Sequence, residues 1–238
     1  MSTPPVRVDE ILSALQTEAP DGMASPTALV RMCARDLGVG GVGMALMTDE
    51  GPAGTVAASD DAALQLEELQ FSLGEGPCVD ASRTGRPVLQ PDLARTGPAR
   101  WPAFAAGAEA AGLVAVFAFP LRVGAIRLGV LDLYRSTVGS LVDHELSDAL
   151  SFADAATTLL LHQQARAAGR DPPGDSLVVL DDRAEVHQAT GVVSVQSAVS
   201  LQEALLLLRA RAYAEQRPIG DLALDVLTGV TDFRGDRE

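Results

Sequence analysis

The spacing of apolar positions divides the chain into helical and strand-like stretches. Over residues 26–36, Leu29, Val30 and Cys33 recur at helical spacing and predict an amphipathic helix. The run that follows, LGVGGVGMALMTD, fits G-x-G-x-x-G through Gly38, Gly40 and Gly43. A dinucleotide fingerprint needs a strand before those glycines and a helix after them. Here a helix leads in and the strand-like run 42–47 leads out, so the glycines read as a helix stop ahead of a strand. Residues 55–58 suggest a second strand, and Ser59-Asp60-Asp61 can cap a helix through Leu64, Leu66 and Leu69. The strongest strand signal is GLVAVFAFPLRVGAIRLGVLDLYR, in which runs 113–121 and 125–134 flank a tight turn near Val123-Gly124. Both alternating faces of the first run are apolar, which predicts a central strand covered on both sides. Ser140 with Asp143 resembles a capping box opening a long helix through Leu146, Leu150, Ala153 and Leu160, ending near Gly169.

A boundary follows. GRDPPGD, residues 169–175, contains Pro172-Pro173-Gly174, which cannot continue a helix, and reads as a linker. Asp175 can cap a new helix through Leu177, Leu180, Ala184, His187 and Gly191, an approximate seven-residue seam suited to self-association. Ser200 and Glu203 form an S-x-x-E capping box, and Ala204, Leu205, Leu208 and Ala212 give the second helix a buried face. A third helix starts near Pro218 and carries Ile219, Leu222, Ala223, Val226 and Leu227 on one face, with Gly229 able to end it. A unit this small leaves apolar surface that one copy cannot hide, so pairing with a second copy is expected. The fold class is an α/β (α+β) antiparallel-sheet domain over residues 1–168, with its core at about 26–165, a linker at 169–175, and an all-α three-helix domain over 176–238.

Composition narrows the partners. At 238 residues, 47% hydrophobic and 21% charged, the chain is an ordinary globular protein. It shows no apolar run of membrane-spanning length and no signal-peptide pattern, so the expected location is the cytoplasm, with no membrane partner. The formal charge of −14 opposes long-range attraction of nucleic acid, so a polyanion would have to meet a local patch. All 18 basic residues are arginine. Cys33 and Cys78 are too few for a disulfide framework and lack metal spacing, so reduced thiols are expected and no cofactor is implied.

Chemistry is sparse. Cys78 follows Gly74-Glu75-Gly76-Pro77, and a helix amino terminus aimed at it would make a redox-sensitive thiol, whereas the alternative is a small buried residue. Trp101, in RWPAF, can line a sensory pocket or anchor a core. Cys33 reads as core. His144 and His162, eighteen residues apart on one helix, cannot share a metal. His187 reads as a helix-seam residue and Asp181-Asp182 as an exposed helix face, and nothing forms a catalytic constellation.

Two resemblances add to this reading. Residues from about 26 to 165 look like a GAF domain, carried by LGEGPCVDA (73–81) and GRPVLQPDL (85–93). This implies a sheet of six or so antiparallel strands with an unknown small-molecule ligand in a pocket, or a dimerisation helix, and no reaction. Residues from about 176 to 233 look like an ANTAR domain, carried by Gln188-Ala189-Thr190-Gly191, Ser200, Glu203-Ala204, Leu208-Arg209, Ala212, Arg217-Pro218-Ile219 and Ala223. That resemblance implies a transcription antitermination regulator whose dimeric helical domain binds paired RNA hairpins in nascent transcripts under control of the sensory domain. It departs from the family pattern at Ser197-Ala198, where relatives commonly carry a glycine.

RNA recognition asks for arginine on phosphates and polar or aromatic groups on exposed bases. The local candidates are Arg183, Arg209, Arg211 and Arg217, with Gln188 and Thr190 beside them and Tyr213 as a stacking ring. Against this stand the ordinary roles of helix arginines as a solvated face and of Tyr213 as a packing residue. From Arg183 onward there are also six arginines against eight acids, a sum of −2. The alternative is a ligand- or redox-sensing module that signals through protein partners without touching RNA.

Overall fold

The structure, a computed structural model, describes residues 4–18, 23–48, 51–168 and 183–234. The expected linker at 169–175, the Asp181-Asp182 face, and the start of the helix expected from Asp175, with Leu177 and Leu180, lie outside the described residues. The chain divides into two units, one built on a sheet and one formed by the last three helices.

The first unit runs α1 (Pro4–Glu18), α2 (Pro26–Leu37), β1 (Gly41–Thr48), β2 (Gly51–Ala58), α3 (Asp61–Leu73), α4 (Pro77–Thr84), β3 (Val88–Gln90), α5 (Leu93–Arg100), α6 (Pro102–Ala110), β4 (Ala115–Val123), β5 (Ile126–Arg135) and α7 (Asp143–Ala168). Helix α2 opens where the Ala28 N–H donates to Ser25 Oγ at 3.1 Å, and it stops at Gly38 in the left-handed region. The glycine run is therefore a helix stop before a strand, as its order along the chain predicts. The strands form one antiparallel sheet in the order β2-β1-β5-β4-β3. The described sheet thus has five strands where the resemblance implied six or so, and the first hairpin strand, β4, lies inside it between β5 and β3, with residues 115–119 buried on both faces.

Side chains alternate across this sheet and give it two unlike faces. Val42 and Met44 of β1, Leu131 and Leu133 of β5, and Phe117, Phe119 and Leu121 of β4 point to one side. There they meet Ile11 and Leu15 of α1, Leu29 and Cys33 of α2, and Phe152 and Leu160 of α7 in the main core. Helix α1 was not expected, although Val8, Ile11, Leu12 and Leu15 have helical spacing. On the opposite face the register sets Gly43 beside Asp132, Gly41 beside Tyr134, and Asp132 beside Ala118. This small and polar face lies under α3 and α4.

Two expected helix details change. Asp60 Oδ1 accepts the Ala63 N–H at 2.9 Å and caps α3 as anticipated, but the buried stripe is Ala63, Leu66, Glu67, Gln70 and Phe71, and Leu64 is exposed. Helix α7 begins at Asp143 without the Ser140–Asp143 box; its cap is Glu145, whose Oε2 accepts the Val142 N–H at 2.9 Å.

The second unit comprises α8 (Ala184–Ser197), α9 (Leu201–Ala214) and α10 (Ile219–Leu227), with α9 and α10 both packed on α8. Arg183 holds the position before α8 with φ −115° and ψ 1°, and the described helix starts at Ala184. The Ser200–Glu203 capping box is complete: the Glu203 N–H donates to Ser200 Oγ at 3.2 Å and the Ser200 N–H to Glu203 Oε2 at 2.9 Å. Helix α10 starts one residue after Pro218. The core joins Val186, Ala189 and Val193, the expected Ala204, Leu205, Leu208 and Ala212, and Ile219, Leu222, Ala223 and Val226. Phe233 returns to close it, its N–H donating to Gln196 Oε1 at 3.0 Å. The seam drawn through Ala184, His187 and Gly191 is not the buried stripe; Ala184 and His187 are exposed.

Candidate functional site

The densest chemistry in the first unit lies on the small-residue face of the sheet. Glu67 and Gln70 project from α3, one helical turn apart, toward Asp132 and Tyr134 on β5, and all four are buried. The Tyr134 hydroxyl donates to Glu67 Oε1 at 2.6 Å. The Gln70 amide Nε2 donates to Asp132 Oδ2 at 3.3 Å and to the Tyr134 hydroxyl at 3.1 Å. Gln70 Oε1 accepts the Cys78 N–H at 2.9 Å, which brings the first turn of α4 into the network. Glycine makes this approach possible. A Cβ on Gly43 would overlap the Glu67 carboxyl, and one on Gly76, at φ 139°, would overlap Gln70.

Two carboxyls side by side in a dry layer cannot both be charged cheaply, since removing each ion from water costs several kcal/mol. Burial, then the charge of Glu67, holds the Asp132 carboxyl far above the usual carboxylate range. Burial and the same two carboxyl groups push the Tyr134 phenol up as well. Tyr134 and Gln70 each donate to one oxygen of these acids, Tyr134 to Glu67 and Gln70 to Asp132.

The sensory candidates from the sequence lie beside this cluster. Cys78 occupies the first turn of α4 after Pro77, but its side chain is only 1% exposed, and it lacks the solvent access that redox sensing needs. Trp101 is 2% exposed and joins α5 to α6; its Nε1–H donates to Asp80 Oδ2 at 3.2 Å and Arg100 lies over its ring at 4.3 Å. It anchors the helical layer. Glu75, in the motif preceding Cys78, caps α6 by accepting the Ala103 and Phe104 N–H groups at 2.8 and 2.9 Å. Cys33 sits in the main core, where burial pushes its thiol up.

In the second unit the nucleic-acid candidates do not form one open cationic patch. Arg183 is buried at 3% exposure, and Thr190 is buried with its hydroxyl donating to Val186 O at 2.7 Å. Arg211 bonds Glu215 Oε1 at 2.9 Å and Asp232 O at 3.0 Å, and stacks over Phe233 at 5.0 Å. Arg217 donates to Asp225 Oδ2 at 2.8 Å and lies 3.5 Å from Glu215 Oε2. Arg209 is half-buried, Gln188 is exposed, and Tyr213 is 66% exposed on α9.

Sequence reasoning missed Glu67, Gln70, Asp132 and Tyr134. Their signal was a lone acid inside the apolar run GVLDLY, with Glu67, Gln70 and Phe71 at helical spacing upstream. Among the described residues no three His, Cys, Asp or Glu side chains group as a metal ion would require, and no single helix is long and apolar enough to cross a membrane.

The sheet, its crossing helices and the buried cluster belong to a recognisable class. The family model of the GAF domain matches residues 27–161, more than half of the chain, and the protein belongs to that family, a family of sensory modules in signalling proteins. Among solved structures the chain is similar to the GAF domain of an Acinetobacter phosphoenolpyruvate-protein phosphotransferase, at 12% identity and a TM-score of 0.52, covering 71% of this chain and 99% of that one. It is also similar to a domain assigned to a two-component sensor histidine kinase protein from Sinorhizobium meliloti 1021, at 16% identity and a TM-score of 0.50, covering 60% of this chain and 93% of that one. At such identities the likeness is one of fold. No curated protein sequence matches the chain.

Proposed function

We propose that this protein is a signal-responsive regulator in which the GAF domain governs an ANTAR-like helical unit that binds RNA hairpins in nascent transcripts. The observation that carries the reading is the second unit itself. It is a three-helix fold with its own core and a complete Ser200–Glu203 capping box, on the residue pattern that resembles that RNA-binding domain. Gln188, Arg209, Arg211, Tyr213 and Arg217 are the groups proposed to meet RNA. Tyr213 offers a ring for base stacking, and Arg211 and Arg217 exchange half-buried carboxylate partners near the surface for phosphate, an exchange that costs little because surface ion pairs contribute at most about 1 kcal/mol. Pairing of two copies would double this set and cover exposed apolar groups such as Leu206 and Leu224.

Binding of a two-hairpin RNA, followed as salt is raised, tests the proposal. Saturable, salt-sensitive binding that weakens in the Arg209→Ala/Arg211→Ala variant, with helicity and oligomeric mass unchanged, is the expected result. The engagement of Arg211 and Arg217 by acids favours a second reading, a sensory module acting through protein partners alone. Absence of saturable RNA binding at low salt would select it.

A further inference from the structure

Charge is spread unevenly along the chain. Residues 77–131 hold six arginines against three acids, a sum of +3, whereas the remaining residues hold twelve against twenty-nine, a sum of −17. We propose that the arginines gathered around the end of α4 form a docking surface for an acidic segment of another protein, one in which carboxylates alternate with aliphatic residues.

The fold brings these arginines together from α4, the turn after it, α5 and β4. Arg83 lies in the last turn of α4, and Gly85, at φ 65°, turns the chain so that Arg86 follows at once. Arg122 of β4 reaches the same turn, its Nη1 standing 3.3 Å from the position a Cβ on Gly85 would take. Beside Arg83, Asp80 Oδ1 accepts a hydrogen bond from Arg83 Nη2 at 2.8 Å, while Asp80 Oδ2 accepts one from Arg100 Nη2, at the end of α5, at 2.7 Å. One carboxylate thus lies among four guanidiniums, and all four arginines are exposed. A helix carboxy terminus favours a nearby cation, but only within its last turn, and clustered like charges repel. An anionic partner relieves that repulsion.

The neighbouring groups indicate which anion fits. Asp80 takes one N–H from each of two guanidiniums that carry five apiece, so both arginines can donate to a further carboxylate. Every aromatic side chain among the described residues of the first unit is buried, which leaves no ring for base stacking. The exposed groups next to Arg122 are aliphatic instead, Val123 and Ile126 at the hairpin turn. Arginines bordered by aliphatic side chains match a peptide of acids and aliphatics better than they match a nucleic acid. The surface lies wholly within the first unit and is independent of the RNA-binding set.

The test is fluorescence anisotropy of a labelled peptide of alternating glutamate and leucine, titrated with the full chain. Saturable binding that weakens as salt rises is expected. Arg86→Glu/Arg122→Glu leaves Asp80 and its two partners in place and should weaken binding about tenfold or more. Arg31→Glu/Arg166→Glu makes the same change in net charge on α2 and α7, which pack on the other face of the sheet, and should bind as the unmodified chain does. In the unmodified chain, hydrogen exchange at residues 83–88 and 122–127 should slow when the peptide is added. Absence of saturable binding, equal loss in the two variants, hairpin RNA held through Arg86 and Arg122 in place of the peptide, or unchanged exchange at those two stretches would each overturn the proposal. The exchange measurement decides the matter even if a variant fails to fold.

Discussion

Gly43 is required for the absence of a side chain, not for its backbone angles. A methyl group there would overlap the Glu67 carboxyl, so Gly43→Ala is expected to destabilise the first unit by about 1–3 kcal/mol, measured by urea unfolding. Ala198 is the reverse case. It occupies the left-handed region, φ 54°, at the end of α8, a conformation that glycine adopts without strain. The strain of a non-glycine residue there is about 1–2 kcal/mol, partly offset by the greater freedom that glycine gives the unfolded chain, roughly 0.4–1 kcal/mol. Ala198→Gly should leave stability equal or raise it by up to about 1 kcal/mol in the same assay. The first effect could not be read from the sequence. Gly43 was visible as part of a glycine run, but its neighbour Glu67 lies on a helix whose leucines suggested a different buried face.

Among the elements, those with local signals were the legible ones. The hairpin of β4 and β5, the stop at Gly38 and the Ser200–Glu203 box each depend on residues close in sequence, and each forms as its residues direct. Ser200→Ala should cost about 1 kcal/mol and fray α9, seen as lost helical circular dichroism. The start of α7 was misread because Glu145 also answers a distant partner: Arg135 on β5 donates to it at 2.7 Å while it caps the Val142 N–H. That backbone bond, and then Arg135, hold the Glu145 carboxyl below its usual range. Its contribution is present above the ordinary glutamate value and is lost as pH falls through the lowered one. In an acid titration, exchange of the first-turn amides of α7 should therefore rise over that window in the unmodified protein, and Glu145→Gln should remove the dependence. The short elements β3, α4, α5 and α6 were not anticipated, since stretches of three to nine residues give too few turns of periodicity to read.

For the whole molecule, charge sets the terms on which any RNA is met. A net −14 repels a polyanion at long range, and the proposed contacts rest on three half-buried arginines per copy. With two copies engaged and roughly 0.7–0.9 counterions released per phosphate, the slope of log affinity against log salt should be about 4–5 in magnitude. A fluorescence titration across salt concentrations measures it, and a much steeper slope would point to further cationic contacts. The buried acids were hardest to foresee at this scale, because Glu67 and Asp132 are 65 positions apart and only the β1–β5 pairing under α3 unites them. One consequence concerns the indole that joins α5 to α6. It is the chain's sole tryptophan, so the emission of the native protein is a built-in optical gauge of the helical layer on that side. A change in colour or quenching on adding an effector would register rearrangement there with no dye attached.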